Sequence, residues 1–396
     1  MKCSAVVYTV LTVFVVMMFC TATLGQIADV PTKSKSQDDD DRWIWGVVDG
    51  DKKNNKTDDR NNGEQIASTI FPPYDDPCAE FRPTKPNFPE KTISDQKCEE
   101  YKWRKLVEEE TFKRNDECWN KMNEGKPPPP ATVGGRPTYA GEFPHMGAIG
   151  WKAAVEGYLF KCGGTLISSK FVLTAAHCSR ASSADTTLAD PVPKIVRLND
   201  KNLYHTDGAG YHLSQDVNIS RIIVHPDFKP PKKYFDIALL ELDTEVTFTW
   251  LMQPACLWSK LDISELGDEA TLTGWGVLHQ GSFEISPELQ AAVVDIINST
   301  YCDQLLHSSR NRNWWGLQED QLCAGKLAGG VDACQGDSGG PLQIKQLIRG
   351  STKEDVYYVI GVTSFGIGCA FPNIPGIYTR VSSFIPWIET HVWPSS

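Results

Sequence analysis

From Thr132 to the C-terminus the sequence is a succession of short apolar runs separated by turn residues. The runs are rich in Val, Ile, Tyr and Phe, and Gly, Pro, Asn and Asp lie between them, which is typical of β-strands joined by turns. Examples are Phe171-Val172-Leu173-Thr174, Ile222-Ile223-Val224 and Ala238-Leu239-Leu240-Glu241-Leu242. So many short strands predict an all-β region, either a sandwich or a pair of barrels. One helix is predicted at its C-terminus, from Phe384 to Val392.

The chain before Thr132 has a different composition. Residues 26–95 contain the acidic run Asp38–Asp41, an Asn/Asp/Lys-rich stretch and many prolines. Such a composition buries too little apolar surface to offset the entropy of ordering, so this pro-region is predicted to be largely disordered. Residues 96–131 change character: over residues 96–123 one amphipathic helix is predicted, with Cys98 and Cys118 near its ends. A run of four prolines then predicts an extended linker that proteases can reach.

The first residues have the pattern of a secretory signal. Lys2 supplies a positive charge, Ala5–Cys20 is mostly apolar, and small residues precede a cleavage position after Gly25. A short membrane anchor is the alternative, but the apolar run is too short to span a bilayer comfortably. We therefore expect residues 1–25 to be a signal peptide and the protein to be secreted.

The charge of the chain restricts its partners. The formal net charge is −11, and the segments on either side of residue 131 are both acidic. A nucleic-acid partner or an anionic membrane surface is therefore not expected, because such partners require a basic footprint. After residue 25 no apolar stretch reaches the length of a transmembrane helix.

The cysteines indicate a disulfide framework. The chain has 12 cysteines, of which Cys3 and Cys20 belong to the signal, so an even number remains in a secreted chain. No tight CxxC or CxxH cluster exists that would hold zinc, and the loop around Asp200 lacks a convincing set of oxygen ligands for calcium. We therefore assign no metal and no cofactor.

Three local motifs carry the chemistry. They are Thr174-Ala175-Ala176-His177-Cys178, Asp236-Ile237-Ala238-Leu239-Leu240 and Gly336-Asp337-Ser338-Gly339-Gly340-Pro341. A lone His or Asp has ordinary structural roles, but a Ser between glycines lies on a turn where backbone N–H groups can converge on an oxyanion. The order His, Asp, Ser is that of the chymotrypsin-type catalytic triad.

With these motifs, residues 132–396 resemble the chymotrypsin-like (trypsin-type, peptidase S1) secreted serine proteases. The stretches Cys162–Leu166 and Thr273–Gly276 agree with the same family. The whole chain is similar to arthropod protease zymogens of the Snake and Easter type. Only three cysteines lie between the signal and residue 131, so the six-cysteine clip domain of many arthropod relatives is not complete. The resemblance implies a double six-stranded β-barrel with a C-terminal helix.

The resemblance also assigns catalytic roles. Ser338 is the expected nucleophile, and His177 is the base that takes its proton and later the acid for the leaving amine. Asp236 is expected to hold the imidazole tautomer and to stabilise its cation. The backbone N–H groups of Gly336 and Ser338 are expected to form the oxyanion hole.

The family's specificity pocket has counterparts here. Asp332, six residues before Ser338, takes the position at the base of the pocket. A carboxylate there favours Arg or Lys before the scissile bond, because a buried charge needs an opposite partner. Gly366 and Gly376 match the pocket walls and leave room for a long side chain.

The resemblance also orders the disulfides. It implies the pairs Cys162–Cys178, Cys302–Cys323 and Cys334–Cys369. The cysteines that remain are Cys78, Cys98, Cys118 and Cys256, and they allow three pairings. We expect Cys118–Cys256, which would tether the pro-region to the protease region after cleavage, together with Cys78–Cys98.

The activation junction departs from the family pattern. Family zymogens are cut before a sequence like Ile-Val-Gly-Gly, and the new amino terminus pairs with the Asp that precedes the catalytic Ser. The matching residues here are Thr132-Val133-Gly134-Gly135 and Asp337, and the residue before the cut is Ala131. Because Ala131 is not basic, the protein is not expected to activate itself. We expect an upstream protease with a pocket for small residues, the alternative being that no cleavage occurs there.

Three functions follow for comparison. The first is a secreted trypsin-like endopeptidase in a proteolytic cascade of immunity, melanisation or development, with a protein substrate and a serpin as inhibitor. The second is a digestive or venom protease. The third is a non-catalytic homologue of the same fold, which the intact His177, Asp236 and Ser338 disfavour. Secretion also predicts N-glycosylation at the sequons of Asn55, Asn218 (expected in a long loop) and Asn298.

Overall fold

The structure is a computed structural model. It describes residues 70–71, 73–89, 91–122, 141–200, 202–203, 214–277, 285–330, 333, 336–351, 354–368 and 371–394. The expected signal peptide, the sequon at Asn55 and the Ala131–Thr132 junction therefore lie outside the described residues.

Six antiparallel strands close the first barrel in the order β1-β2-β3-β6-β5-β4, and β1 pairs back onto β4. They are β1 Met146–Lys152, β2 Tyr158–Leu166, β3 Phe171–Thr174, β4 Ile195–Leu198, β5 Gln215–Val224 and β6 Ala238–Leu242. Successive side chains of a strand point to opposite faces. Leu239 and Leu240 in β6 are both fully buried, so this strand is covered on both sides.

The second barrel has six strands in the order β11-β8-β9-β10-β13-β12, and pairing of β11 with β12 closes it. Its strands are β8 Glu269–Gly274, β9 Gln290–Ile297, β10 Gln321–Gly325, β11 Pro341–Leu347, β12 Asp355–Phe365 and β13 Gly376–Arg380. A short strand, β7 (Cys256–Leu257), lies parallel to β12 outside the ring. The predicted pair of six-stranded barrels is confirmed.

In the described part of the chain, three α-helices accompany the barrels: α1 Ile93–Met122, α2 Ser299–Leu305 and α3 Ile385–Val392. The C-terminal helix predicted from the sequence is present as α3, and its Ile385 and Ile388 pack into the core of the first barrel. None of the helices in the described part of the chain combines the length and apolarity needed to cross a membrane.

The long helix α1 belongs to the segment that precedes the barrels. It begins three residues earlier than predicted, because the Thr92 hydroxyl accepts a hydrogen bond from the Asp95 backbone N–H at 3.3 Å and caps the helix. Its first half lies against the second barrel, where Cys98 and Leu106 are buried in one apolar cluster with Val356. Most of its last three turns are exposed.

The segment just before α1 was predicted to be part of the disordered pro-region. Residues 73–89 have little regular secondary structure and are mostly exposed, but aromatic residues near this segment contact α1. Phe71 is buried, with its ring centroid 5.2 Å from that of Trp103 on α1 and 5.4 Å from that of Phe81. The contact between Phe71 and Trp103 therefore places this part of the chain on α1.

The disulfides correct one prediction. Cys98 pairs with Cys256 and Cys78 pairs with Cys118, so the expected pairs Cys118–Cys256 and Cys78–Cys98 are wrong. At 1.5 Å per helical residue, Cys98 and Cys118 lie roughly 30 Å apart at opposite ends of α1. The first turns contact β7, so only Cys98 reaches Cys256, with a Cα–Cα distance of 4.9 Å.

The structure also contains two of the disulfides that the resemblance implies. They are Cys162–Cys178 and Cys302–Cys323. The third expected pair, Cys334–Cys369, lies outside the described residues.

Candidate active site

His177 and Asp236 meet because β3 and β6 are paired neighbours in the first barrel. His177 lies on a 3-10 turn that follows β3, and Asp236 lies two residues before β6. The Asp236 carboxylate accepts two hydrogen bonds from His177, one from the backbone N–H and one from the ring Nδ1, each at 2.8 Å. Both oxygens of the carboxylate therefore hold one residue, which fixes the orientation of the imidazole.

Asp236 is buried, with 2% of its surface exposed. Burial on its own would raise the pKa of Asp236, but the His177 charge and the hydrogen bonds from His177 and Ser364 keep that pKa below its ordinary value. The Ser364 hydroxyl donates to Oδ2 at 2.5 Å, and the Thr379 hydroxyl donates to the Asp236 carbonyl oxygen at 2.9 Å. The carboxylate is thus held ionised in the interior.

Ser338 lies on a turn that is pressed against the first barrel. The Gly163 N–H donates to the Ser338 carbonyl oxygen at 2.8 Å. Gly339 has φ +76°, and a Cβ at this position would lie 2.1 Å from the Thr174 hydroxyl oxygen. Only glycine fits both requirements. The turn therefore comes close to the end of β3, three residues before His177.

The Asp337 carboxylate lies directly against the backbone of two glycines, Gly274 and Gly276. The Gly276 N–H donates to Asp337 Oδ1 at 2.8 Å. A Cβ at Gly274 or at Gly276 would come within 2.2 Å of a carboxylate oxygen of Asp337. The stretch Thr273-Gly274-Trp275-Gly276 thus provides the surface on which the Asp337 carboxylate lies, and its glycines are required for that approach.

The sequence profile of the trypsin family matches residues 132–388. This chain belongs to the trypsin family of serine proteases. Serine protease snk of Drosophila melanogaster is 39% identical over 267 residues, or 66% of this chain and 57% of the relative. Serine protease Hayan of the same fly is 37% identical over 282 residues, or 70% of this chain and 42% of the relative. Venom serine protease Bi-VSP of Bombus ignitus is 37% identical over 261 residues, or 64% and 66%.

The match spans less than two thirds of the length of each of these three relatives. A shorter relative, Venom protease of Bombus pensylvanicus, is 34% identical and is covered over 96% of its length. The similarity therefore applies to the two barrels, whose strands all follow residue 132.

The expected specificity residues of this trypsin-family chain are only partly described. Asp332 lies outside the described residues. Gly376 is buried at the start of β13, where it pairs with Ala324 of β10, and Gly366 follows β12 at an exposed position. A Cβ at Gly366 would lie 3.0 Å from the Gly368 carbonyl oxygen, so a larger residue would crowd this position.

Ser364 and Thr379 were missed at the sequence level. They lie on β12 and β13, far along the chain from Asp236, and neither belongs to a motif. A second missed feature is Phe235, next to Asp236, which has a left-handed φ of +56°. A non-glycine residue rarely adopts this conformation, and no pattern in the sequence reveals it.

Two expected glycosylation sites are described. Asn218 lies in β5 rather than in a long loop, and its side-chain amide donates to Asp243 Oδ2 at 2.9 Å. Its backbone pairs with that of Ile195 on β4, and its side chain is exposed. Asn298 is exposed at the start of α2, where its Oδ1 accepts from the N–H groups of Thr300 and Tyr301.

Proposed function

We propose that the chain is a secreted zymogen of a serine endopeptidase that cleaves proteins after Arg or Lys. The observation that carries the proposal is the buried Asp236, whose carboxylate holds His177 by two hydrogen bonds beside the turn of Ser338. Membership of the trypsin family supports the same chemistry.

In the proposed mechanism the Asp236 carboxylate accepts a hydrogen bond from the Nδ1–H of His177, which keeps the proton on Nδ1 and leaves Nε2 free as the base. The Ser338 Oγ attacks the peptide carbonyl carbon while its proton passes to Nε2, and the new oxyanion is stabilised by the N–H groups of Gly336 and Ser338. His177 then gives the proton to the leaving amine. Water repeats the two steps and releases the acyl group from Ser338.

Specificity is proposed to reside in Asp332. Its carboxylate would pair with the Arg or Lys side chain that precedes the scissile bond. Gly366 and Gly376 would leave the walls of this pocket open for a long side chain. The pair Cys334–Cys369 would close the same pocket.

Activation is proposed to require cleavage between Ala131 and Thr132 by a protease with small-residue specificity. The new amino group would pair with Asp337 and order the oxyanion hole. Thr132 replaces the usual Ile, and its hydroxyl must find a hydrogen bond or cost about 1–3 kcal/mol when buried. Because Cys98 is bonded to Cys256, the pro-segment would stay attached after the cut.

The need for a separate activator supports a place in an extracellular cascade, with a downstream zymogen as one class of protein substrate and a serpin as inhibitor. The venom proteases among the relatives favour a second candidate, a venom protease of the same specificity. Secretion would also expose Asn55, Asn218 and Asn298 to glycosylation.

The test uses a variant whose new amino terminus after cleavage is defined. Replacing residues 127–131 by Asp-Asp-Asp-Asp-Lys lets enteropeptidase leave Thr132 first, which mass spectrometry confirms. Peptides ending in Arg, Ala or Phe are then assayed beside a Ser338→Ala control. Cleavage after Arg that the control loses supports the proposal. Absence of cleavage with a verified terminus would make the non-catalytic homologue the better description.

A further inference from the structure

Two neighbouring loops carry a group of cations on an otherwise acidic chain. The cationic edge consists of Lys229, Lys232, Lys233 and Arg312. Lys229, Lys232 and Arg312 are exposed, and Lys233 is half-buried. Among the residues that the structure describes, none of the four makes an ion pair, whereas the nearby Arg310 is paired with Asp303. The net charge of the chain is −11, so four unpaired cations at one place stand apart from the rest of the surface.

The two loops are joined firmly. The Lys233 N–H donates to the Asn313 carbonyl oxygen at 3.1 Å. The Tyr234 hydroxyl donates to the Gly316 carbonyl oxygen at 2.9 Å and accepts from the Trp315 N–H at 2.8 Å. The rings of Tyr234 and Trp315 are 4.2 Å apart between centroids. The cations are therefore presented on a fixed support.

Aromatic faces position two of the ammonium groups. Lys232 Nζ lies 5.5 Å from the ring centroid of Trp315, and Lys233 Nζ lies 5.6 Å from that of Phe365. Such cation–π contacts attract the charge but leave its other side free for an anion. Trp315 is itself 49% exposed, so this support is open to solvent.

The edge borders the candidate active site. Lys233 lies three residues before Asp236 in the chain. Phe365, under the Lys233 ammonium, follows Ser364, whose hydroxyl donates to the Asp236 carboxylate. Lys233 therefore lies near the residues that hold Asp236, within reach of a protein chain bound at the candidate active site.

We infer that the cationic edge binds Asp or Glu side chains that flank the scissile bond in the protein substrate. The inference rests on the proposed endopeptidase function and adds a second selection to that of Asp332. A sulfated polysaccharide is the other anion that such a surface could take. The small size of the edge and the acidity of the remaining chain favour a short acidic peptide, because a long polyanion would be repelled beyond the edge.

The test compares two peptides with the same Arg before the scissile bond, one flanked by Asp residues and one by Ser residues. Cleavage by the activated enzyme and binding to its Ser338→Ala form are both measured at low and high salt. We expect the acidic peptide to be preferred about fivefold, mainly through KM, because a few exposed ion pairs contribute modestly. The preference should shrink at 0.5 M NaCl, where the Debye length is only a few ångströms.

Charge-reversal variants test whether the cations of the edge cause this preference. In Lys232→Glu and Arg312→Glu the ratio of acidic to serine peptide should fall to one or below. The matched control is Lys113→Glu, an exposed lysine on α1. Its ratio should stay that of the wild type.

Equal cleavage and equal binding of the two peptides by the wild type would overturn the inference. Retention on heparin at physiological salt that Lys232→Glu abolishes, with equal use of both peptides, would also overturn it and assign the edge to polysaccharide. A retained binding preference without cleavage of either peptide would support the edge and overturn the endopeptidase proposal instead.

Discussion

The interior of the two barrels and the attachment of α1 are held in different ways. Inside, polar groups are buried and locked by several partners, as Asp236 is by His177, Ser364 and Thr379. Along α1, an apolar cluster that includes Cys98 and Leu106 is buried against the second barrel, and one disulfide, Cys98–Cys256, secures the helix. We therefore expect a substitution at a buried polar group of the barrels to alter catalysis. A substitution on α1 should instead alter the attachment of the helix and the stability of the protein.

The largest effect is expected from a substitution at a buried polar group inside the barrels. In Asp236→Asn an NH2 group replaces one of the two oxygens that accept hydrogen bonds from His177, and it donates to Nδ1, so the wrong tautomer is favoured and kcat should fall about 10⁴-fold, as in the general case of this triad. Kinetics on an Arg peptide measure it. Thermal unfolding of the same variant serves as the control, since a loss of folding would lower the fraction of folded protein instead.

The next largest effect is expected from removing the disulfide that attaches α1 to the barrels. Replacing both Cys98 and Cys256 by Ser should lower the free energy of unfolding of the zymogen by about 2–5 kcal/mol. After cleavage at Ala131, a denaturing gel without reductant should show the pro-segment released. The matched control replaces Cys78 and Cys118, and in it the pro-segment should stay attached. Release in the control as well would contradict the observed pairing.

A third effect concerns His145, which is fully buried between the barrels. Its Nε2 lies 2.5 Å from Gln343 Oε1 on β11, and burial, with a smaller contribution from Lys105, lowers the pKa of His145 to about 3. The unfolded chain binds this proton below about pH 6.5, whereas the folded chain does not until about pH 3. Acid therefore favours unfolding within that window.

The free energy of unfolding should consequently fall by about 2 kcal/mol between pH 7 and pH 5. Denaturant titrations at the two pH values measure it. In His145→Gln, which keeps a polar partner for Gln343, this part of the pH dependence should disappear. An identical slope in the variant would show that other groups cause it.

The smallest effect is again at α1. The Tyr101 hydroxyl donates to the Ile167 carbonyl oxygen at 2.9 Å. In Tyr101→Phe the free energy of unfolding should fall by about 1 kcal/mol with kcat unchanged. Lys113→Ala, an exposed change on the same helix, should leave both quantities as they are. A fall in kcat for Tyr101→Phe would mean that α1 acts on the active site.

The strand pattern alone left a sandwich or a pair of barrels open, and the motifs around His177, Asp236 and Ser338 decided between them through the family resemblance that they carry. The helix α1 was also predictable, since its pattern is local. The disulfide partners of its two cysteines were not predictable. Cys98 and Cys118 are equivalent in the pattern, and only the docking of the first turns on β7 decides that Cys98 reaches Cys256.

The sequence by itself indicated the strand-rich region, the candidate catalytic residues and the helix that precedes the barrels, because these depend on residue types at short spacings. The tertiary structure decided what lies far apart in the chain. It brought Ser364 and Thr379 to Asp236, joined the loops of Lys233 and Arg312, and ordered Phe71 on α1. Such contacts arise when strands close into barrels, and no local pattern encodes that closure.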